Sequence, residues 1–290
     1  MGVYNERQTT QLRHKLSQGK VIAVGPFNAL VAKLIERAGF DAIYISGAGL
    51  ANSAGLPDVG LLTLTEVAAE AKLICNSVSV PVILDADTGF GEAINVGRTV
   101  RELEQVGLAG IHIEDQEFPK RCGHLPGKRL VSAKAMIEKI QAAKDARTDP
   151  DFLIIARTDA RGVTNLEDAI QRAVLYVEAG ADALFPDALQ SAEELAAFSK
   201  GVATTFATTA RTPLLLANMT EFGKTPYLNV NELESLGYHL IIFPLTLMRV
   251  MLKSLTVALQ DLKETGGQVQ LLDGMMTREE LYEVLDYQPE

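Results

Sequence analysis

The chain has 290 residues, 47% of them hydrophobic and 22% charged, with a net charge of −10. This composition supports a large buried core and excludes an intrinsically disordered protein. The negative balance argues against a nucleic-acid partner, because phosphate recognition needs a basic face; no apolar run is long enough for a membrane span.

The opening residues, MGVYNERQTTQLRHKL, lack the apolar centre of a secretory leader, and Glu6 stands where a myristoylation site carries Ser or Thr. Short β-branched runs then recur: VIAV (21–24), DAIYIS (41–46), PVILDAD (81–87), GIHIED (110–115), FLIIART (152–158), ALFPDA (183–188), PLLLANM (213–219) and LIIFPL (240–245). Each is nearly continuous in apolar character, as strands covered on both faces require. Amphipathic helix-period stretches lie between them, several closed by Ala-Gly or Val-Gly. Thr63, Ser132, Asn165 and Ser191 stand at N-cap positions, with Glu66 and Glu194 three residues after their caps. Eight strands with crossover helices predict one (β/α)8 barrel domain over residues 1–290, including an N-terminal helix and a C-terminal helix. A doubly wound open sheet is the alternative, but no GxGxxG follows the first strand. The last apolar stretches, PLTLMRVMLKSLTVALQDLKETG and GMMTREELYEVLDYQ, must bury a face beyond the closed barrel, for which a neighbouring subunit is suited.

In such a barrel the chemistry gathers at the carboxyl ends of the strands. Tyr44, Ser46, Gly47, Asp85, Asp87, His112, Glu114, Asp115, Arg157, Asp159, Asp187, Asn218, Thr220, Pro244 and Arg249 fall there, with ionisable groups from six of the eight strands. Asp85 and Asp87 alternate, so as strand residues they point to one side, and Glu114 completes an oxygen-only donor set suited to Mg²⁺ or Mn²⁺. The competing reading makes these acids helix caps facing solvent. Cys122 lies in PKRCGHLPGKR (119–129), among Lys120, Arg121, His124, Lys128 and Arg129. Nearby cations favour a thiolate, and the thiol can serve as nucleophile or as proton donor. Cys75, in KLICNSV, reads as core. Two cysteines make no disulfide framework and point to a reducing, cytoplasmic setting. Cations around an acidic metal site call for a small-molecule di- or tricarboxylate, or a phosphate.

KRCGH (120–124) resembles the Lys-[Lys/Arg]-Cys-Gly-His loop of the isocitrate lyase and phosphoenolpyruvate mutase superfamily. SGAGLANSAGLPDVG, LDADTGFGEAINVGRTV, ARTDA, LFPDALQS, ANMTEFGKTP and FPLTLMRVM are similar to its methylisocitrate lyase branch across nearly the whole chain. The resemblance implies Mg²⁺-dependent cleavage of 2-methylisocitrate to pyruvate and succinate in the methylcitrate cycle of propionate catabolism. The alternative is 2,3-dimethylmalate lyase or another 2-hydroxy acid lyase of the superfamily. It further implies that Asp85, Asp87 and Glu114 serve the metal and that Cys122, Tyr44, His124 and Lys120 act in catalysis. Ser46, Gly47, Ala48, Cys122, Gly123, Arg157, Asp187, Asn218, Met219, Thr220, Arg249 and Arg278 would contact substrate. Asp58 and His112 would support them, and Phe185, Ile242 and Pro244 would make room for a methyl group. A homotetramer, a dimer of helix-swapped dimers, is expected. Asp187 departs from the glutamate usual in this family, and its shorter side chain is expected to turn a direct contact into a water-mediated one.

Overall fold

A computed structural model describes residues 6–207 and 213–288; MGVYN, at the head of the stretch read for leader and lipid signals, lies outside them. Eight strands close into one parallel barrel in sequence order: β1 (Val21–Val24), β2 (Ala42–Ile45), β3 (Val82–Asp85), β4 (Gly110–Glu114), β5 (Leu153–Thr158), β6 (Ala183–Pro186), β7 (Leu214–Asn218) and β8 (Leu240–Phe243). Helices α1 (Gln8–Gln18), α2 (Ala29–Arg37), α3 (Gly47–Ser53), α4 (Leu64–Cys75), α5 (Ala93–Gln105), α6 (Ala133–Ala146), α7 (Ala160–Val163), α8 (Leu166–Ala179), α9 (Ala192–Phe206) and α10 (Val230–Ser235) precede or connect them. After β8 come α11 (Thr246–Thr265), a 3₁₀ turn (Val269–Gly274) and α12 (Arg278–Val284).

Local chemistry starts these helices where the sequence predicts. The side chains of Thr63, Ser132, Asn165 and Ser191 accept from the backbone N–H three residues on. Thr63 and Glu66 form the reciprocal capping box. Glu194 does not: its carboxylate is drawn to Arg161 and to the backbone N–H of Gln190.

The strands divide the apolar residues between two cores. Val82, Leu84, Ile111, Ile113, Ile154 and Ala156 pack outward against the helix ring. Ala23, Ala42, Ile83, Leu153, Ile155, Phe185 and Ile242 fill the barrel interior, which Leu12 and Leu16 of α1 plug at its amino end. Parallel register sets Asp85 beside His112 and Glu114 beside Arg157 at the other end.

α12 lies against α2 of its own chain, with Lys33 Nζ 2.8 Å from Asp286 Oδ2. It is α11 that stands off: Met248 is the one buried residue of this 20-residue helix. Among the described residues no helix is long and apolar enough to cross a membrane.

Candidate active site

Climbing two residues along several of the strands turns an apolar interior into a polar one. Leu153 and Ile155 lead to Arg157, Ala183 and Phe185 to Asp187, Ala42 and Tyr44 to Ser46, and Leu214 and Leu216 to Asn218. Side-chain alternation makes this inevitable once the strands are parallel and in register. The result is one cavity lined by Tyr44, Ser46, Ala48, Asp58, Asp85, Lys120, Cys122, Gly123, His124, Arg157, Asp187, Asn218, Thr220, Pro244 and Leu245. Its free volume is about 60 Å³, well below the roughly 300 Å³ at which ordinary ligand pockets begin. Cys122, Gly123 and His124 of the loop close over the cavity, with Gly123 packed against Asp187 and Arg157.

Arg157 is the electrostatic centre. Its Nε lies 3.1 Å from Glu114 Oε2 and 2.9 Å from Asp159 Oδ2, and its Nη2 lies 3.2 Å from Asp187 Oδ2. Its guanidinium also stacks over Phe185, 5.0 Å from the ring centre. Asp159, facing Arg157 and Lys128, is held well below the ordinary carboxylate range despite its burial. Asp187 touches protein directly, through Arg157 and Asn218 Nδ2 at 3.3 Å. Its shortness therefore does not leave it without direct contacts within the chain.

Lys120 is the second centre. It pairs with Asp58 and lies 2.8 Å from Asp87 Oδ1. Tyr44 and His112 share a 2.8 Å hydrogen bond between the hydroxyl and Nε2. Burial pushes His112 down to about 4, so the ring is neutral, and burial with Asp85 nearby pushes Tyr44 well above the phenol range. Tyr44 therefore keeps its proton and acts here as a hydrogen-bond donor or acceptor; it is poorly suited to the role of base.

The acids fit a hard cation in type. Glu114 Oε1 is buried without a hydrogen-bond partner, and Asp87 Oδ1 faces the Lys120 ammonium at 2.8 Å. Gly47 leaves the space above them open, since a Cβ there would lie 3.1 Å from Asp85 Oδ2 and 3.2 Å from Asp87 Oδ1. Strand alternation is not what orients Asp87, however: β3 ends at Asp85, and Asp87 takes a left-handed φ of 48°. Among the described residues no three acids, histidines or cysteines converge as a ready metal cluster, because Lys120 and Arg157 now hold these carboxylates.

The thiol reading changes sign. Burial, Asp58 and Asp187 raise the Cys122 pKa, although five cations surround it in sequence. Those cations are committed elsewhere: Lys120 to Asp58 and Asp87, Lys128 to Asp159, Arg129 to Glu117, while Arg121 turns toward the carbonyl of Pro126. Cys75 is core, with burial pushing its thiol up to about 12.

Several expected residues stand apart from the cavity. Met219 packs in the outer core, and Phe185 and Ile242 lie in the apolar interior. Arg249 is half-exposed beside Glu221, and Arg278 is exposed at the start of α12. Asp115 faces the helix ring, accepting from Thr158, Tyr176 and Arg172. Sequence reasoning left out the pairing of Lys128 with Asp159; the signal was present in two motifs, GKR after the Cys122 loop and ARTDA at the end of β5.

A closed parallel barrel with buried carboxylates, guanidinium and thiol at the carboxyl ends of its strands has the build of a (β/α)8 barrel of the enzyme type. The profile of the phosphoenolpyruvate phosphomutase family matches residues 12–263. The chain is 53% identical over 267 residues to the 2-methylisocitrate lyase of Aeropyrum pernix, covering 92% of this chain and 83% of that protein. It belongs to the isocitrate lyase and phosphoenolpyruvate mutase superfamily. A solved 2,3-dimethylmalate lyase superposes with a TM-score of 0.88 at 37% identity, covering 97% of this chain and 93% of that one. A phosphonopyruvate hydrolase solved with oxalate and Mg²⁺ gives 0.86 at 30% identity, covering 97% and 95%.

Proposed function

We propose that this chain is a carbon–carbon lyase that cleaves 2-methylisocitrate to pyruvate and succinate, using Mg²⁺ or Mn²⁺, in propionate catabolism. One observation carries the reading: a single cavity is lined by Cys122, Asp85, Arg157 and Asn218, with Glu114 paired to that arginine. The similarity to the Aeropyrum protein supports it.

Cleaving a 2-hydroxy acid requires charge stabilisation on the pyruvate side and a proton for the succinate carbanion. Asp85, Asp87 and Glu114 would hold the metal, which when bound supplies Lewis-acid charge for the developing oxygen anions. Arg157, Asn218 and Thr220 bind the remaining carboxylates and stabilise negative charge as it grows. Cys122 is the proton donor: its raised pKa keeps Sγ protonated at neutral pH, which suits an acid better than a nucleophile. The loop carrying it excludes water from the carbanion. Lys120 balances the charge of Asp58 and Asp87, and His124 faces Asp187 across 3.7 Å.

The test is incubation with Mg²⁺ and each candidate acid, with pyruvate coupled to NADH oxidation and the co-product identified. Succinate with pyruvate supports the reading. Propionate moves it to 2,3-dimethylmalate lyase, and glyoxylate to isocitrate cleavage.

The assembly we propose is a homotetramer in which α11 is covered by a neighbouring copy. Val250, Leu252, Val257 and Leu259 are 61%, 51%, 53% and 65% exposed along it, an apolar exposure that marks an interface. A monomer by light scattering rules this out. Both cysteines are free thiols, in keeping with work in the cytoplasm.

A further inference from the structure

Besides the pairing of Lys120 with Asp58 and Asp87, three further ties hold the Cys122 loop. Gln116 and Arg121 exchange two hydrogen bonds of 2.9 Å at its start. At its crest, His124 Nδ1 accepts from the backbone N–H of Lys224 at 3.1 Å. The third differs in kind. Lys128, whose side chain is 1% exposed, donates to the carbonyl of Gly123 and to Asp159 Oδ1 at 2.7 Å. Burying an ammonium is costly, and a lysine on a surface loop avoids that cost by turning outward, as the neighbouring Arg129 does.

The receiving carboxylate is fixed beforehand. Asp159 accepts from Arg157 Nε at 2.9 Å and Nη2 at 3.1 Å, and its backbone N–H donates to Asp115 Oδ1 at 2.9 Å. Arg157 is shared with Glu114 and Asp187, so Lys128 adds charge beside Asp159 while the same ammonium reaches the loop. The Gly123 carbonyl needs a donor, and Gly123 is joined directly to Cys122. Gly123 is also where the loop comes closest to the barrel: a Cβ there would overlap Asp187 and Arg157.

We propose that Lys128 is a positioning residue that latches the Cys122 loop, tying the Gly123 carbonyl to Asp159 at the end of β5. Its catalytic meaning rests on the lyase reading above; the closure of the loop does not.

The experiment is iodoacetamide labelling of the full chain at mildly alkaline pH, with peptide mapping to read Cys122 and Cys75 separately. In Lys128→Met, Cys122 reacts about tenfold faster, the factor expected when a charged hydrogen bond is lost, while buried Cys75 keeps its wild-type rate. In the cleavage assay kcat falls and KM changes little, because the latch sets the proton donor rather than the carboxylate contacts. A wild-type Cys122 rate in a natively folded Lys128→Met overturns the proposal. Should that variant unfold, Gly162→Ala decides: a Cβ there comes within 2.9 Å of Lys128 Nζ and displaces the ammonium without removing its charge. Selective acceleration of Cys122 supports the latch. An unchanged rate, or equal acceleration of Cys75, makes Lys128 a structural cation only and overturns it. Labelling uses no substrate, so a failed cleavage assay leaves this test intact.

Discussion

The two ends of the barrel are built from the same eight strands, yet they obey different rules. At the amino end Leu12, Leu16, Val21, Leu153 and Leu240 form an apolar plug. At the carboxyl end Asp85, Glu114, Arg157, Asp159 and Asp187 are equally buried and almost all paired. The plug gains from every buried methylene. The charged end gains little net stability, because ion pairing is largely spent on offsetting desolvation. One end is built for folding, and the other keeps ionised groups out of water for a reaction.

The comparison is open to attack from both ends. Cys122→Ser carries the largest expected effect: kcat falls by about 10²–10⁴, the range for losing a general acid, while metal and pyruvate binding and the far-ultraviolet spectrum stay as in the parent. Near-normal turnover would remove the acid role. Arg157→Ala leaves Glu114, Asp159 and Asp187 without their shared cation and costs about 3–5 kcal/mol in denaturant unfolding, along with activity. Leu12→Ala, at 0% exposure, costs a comparable 2–5 kcal/mol or so, yet kcat well below the melting temperature is unchanged. If Leu12→Ala also impaired kcat, the division between the ends would be wrong.

The pH dependence separates the two thiols. Folding raises both thiol pKa values, so the unfolded chain releases those protons first. Their contribution is intact below the ordinary thiol range and is lost as pH rises, for Cys75 toward about 12. Unfolding midpoints should therefore fall on the alkaline side, and Cys75→Ala should flatten that fall. The smallest effect expected is for Ser132→Ala, the N-cap of α6. It stands on the reactive side of the barrel but should cost only about 1 kcal/mol, with kcat unaltered.

Eight strands, their order and most helix starts were legible because hydrophobic period and capping chemistry are local. VIAV coincides with β1, and Thr63 caps α4 as its hydroxyl dictates. The strand-end rule also located Asp85, Glu114, Arg157, Asp187 and Asn218 correctly. It failed for Asp115, which alternates to the outer face; Met219, expected from the family resemblance alone, lies on that face too. For a run apolar on both faces, composition does not say which parity points inward.

What the sequence determined alone was the barrel, the set of strand-end groups and the cysteine loop that bears its family's motif. Tertiary structure decided what those groups do to one another. Cys122 sits among cations along the chain, yet in space they are held by Asp58, Asp87, Asp159 and Glu117, and the thiol keeps its proton. The physical reason is that charge acts through distance and burial. Neither is a property of neighbours in sequence.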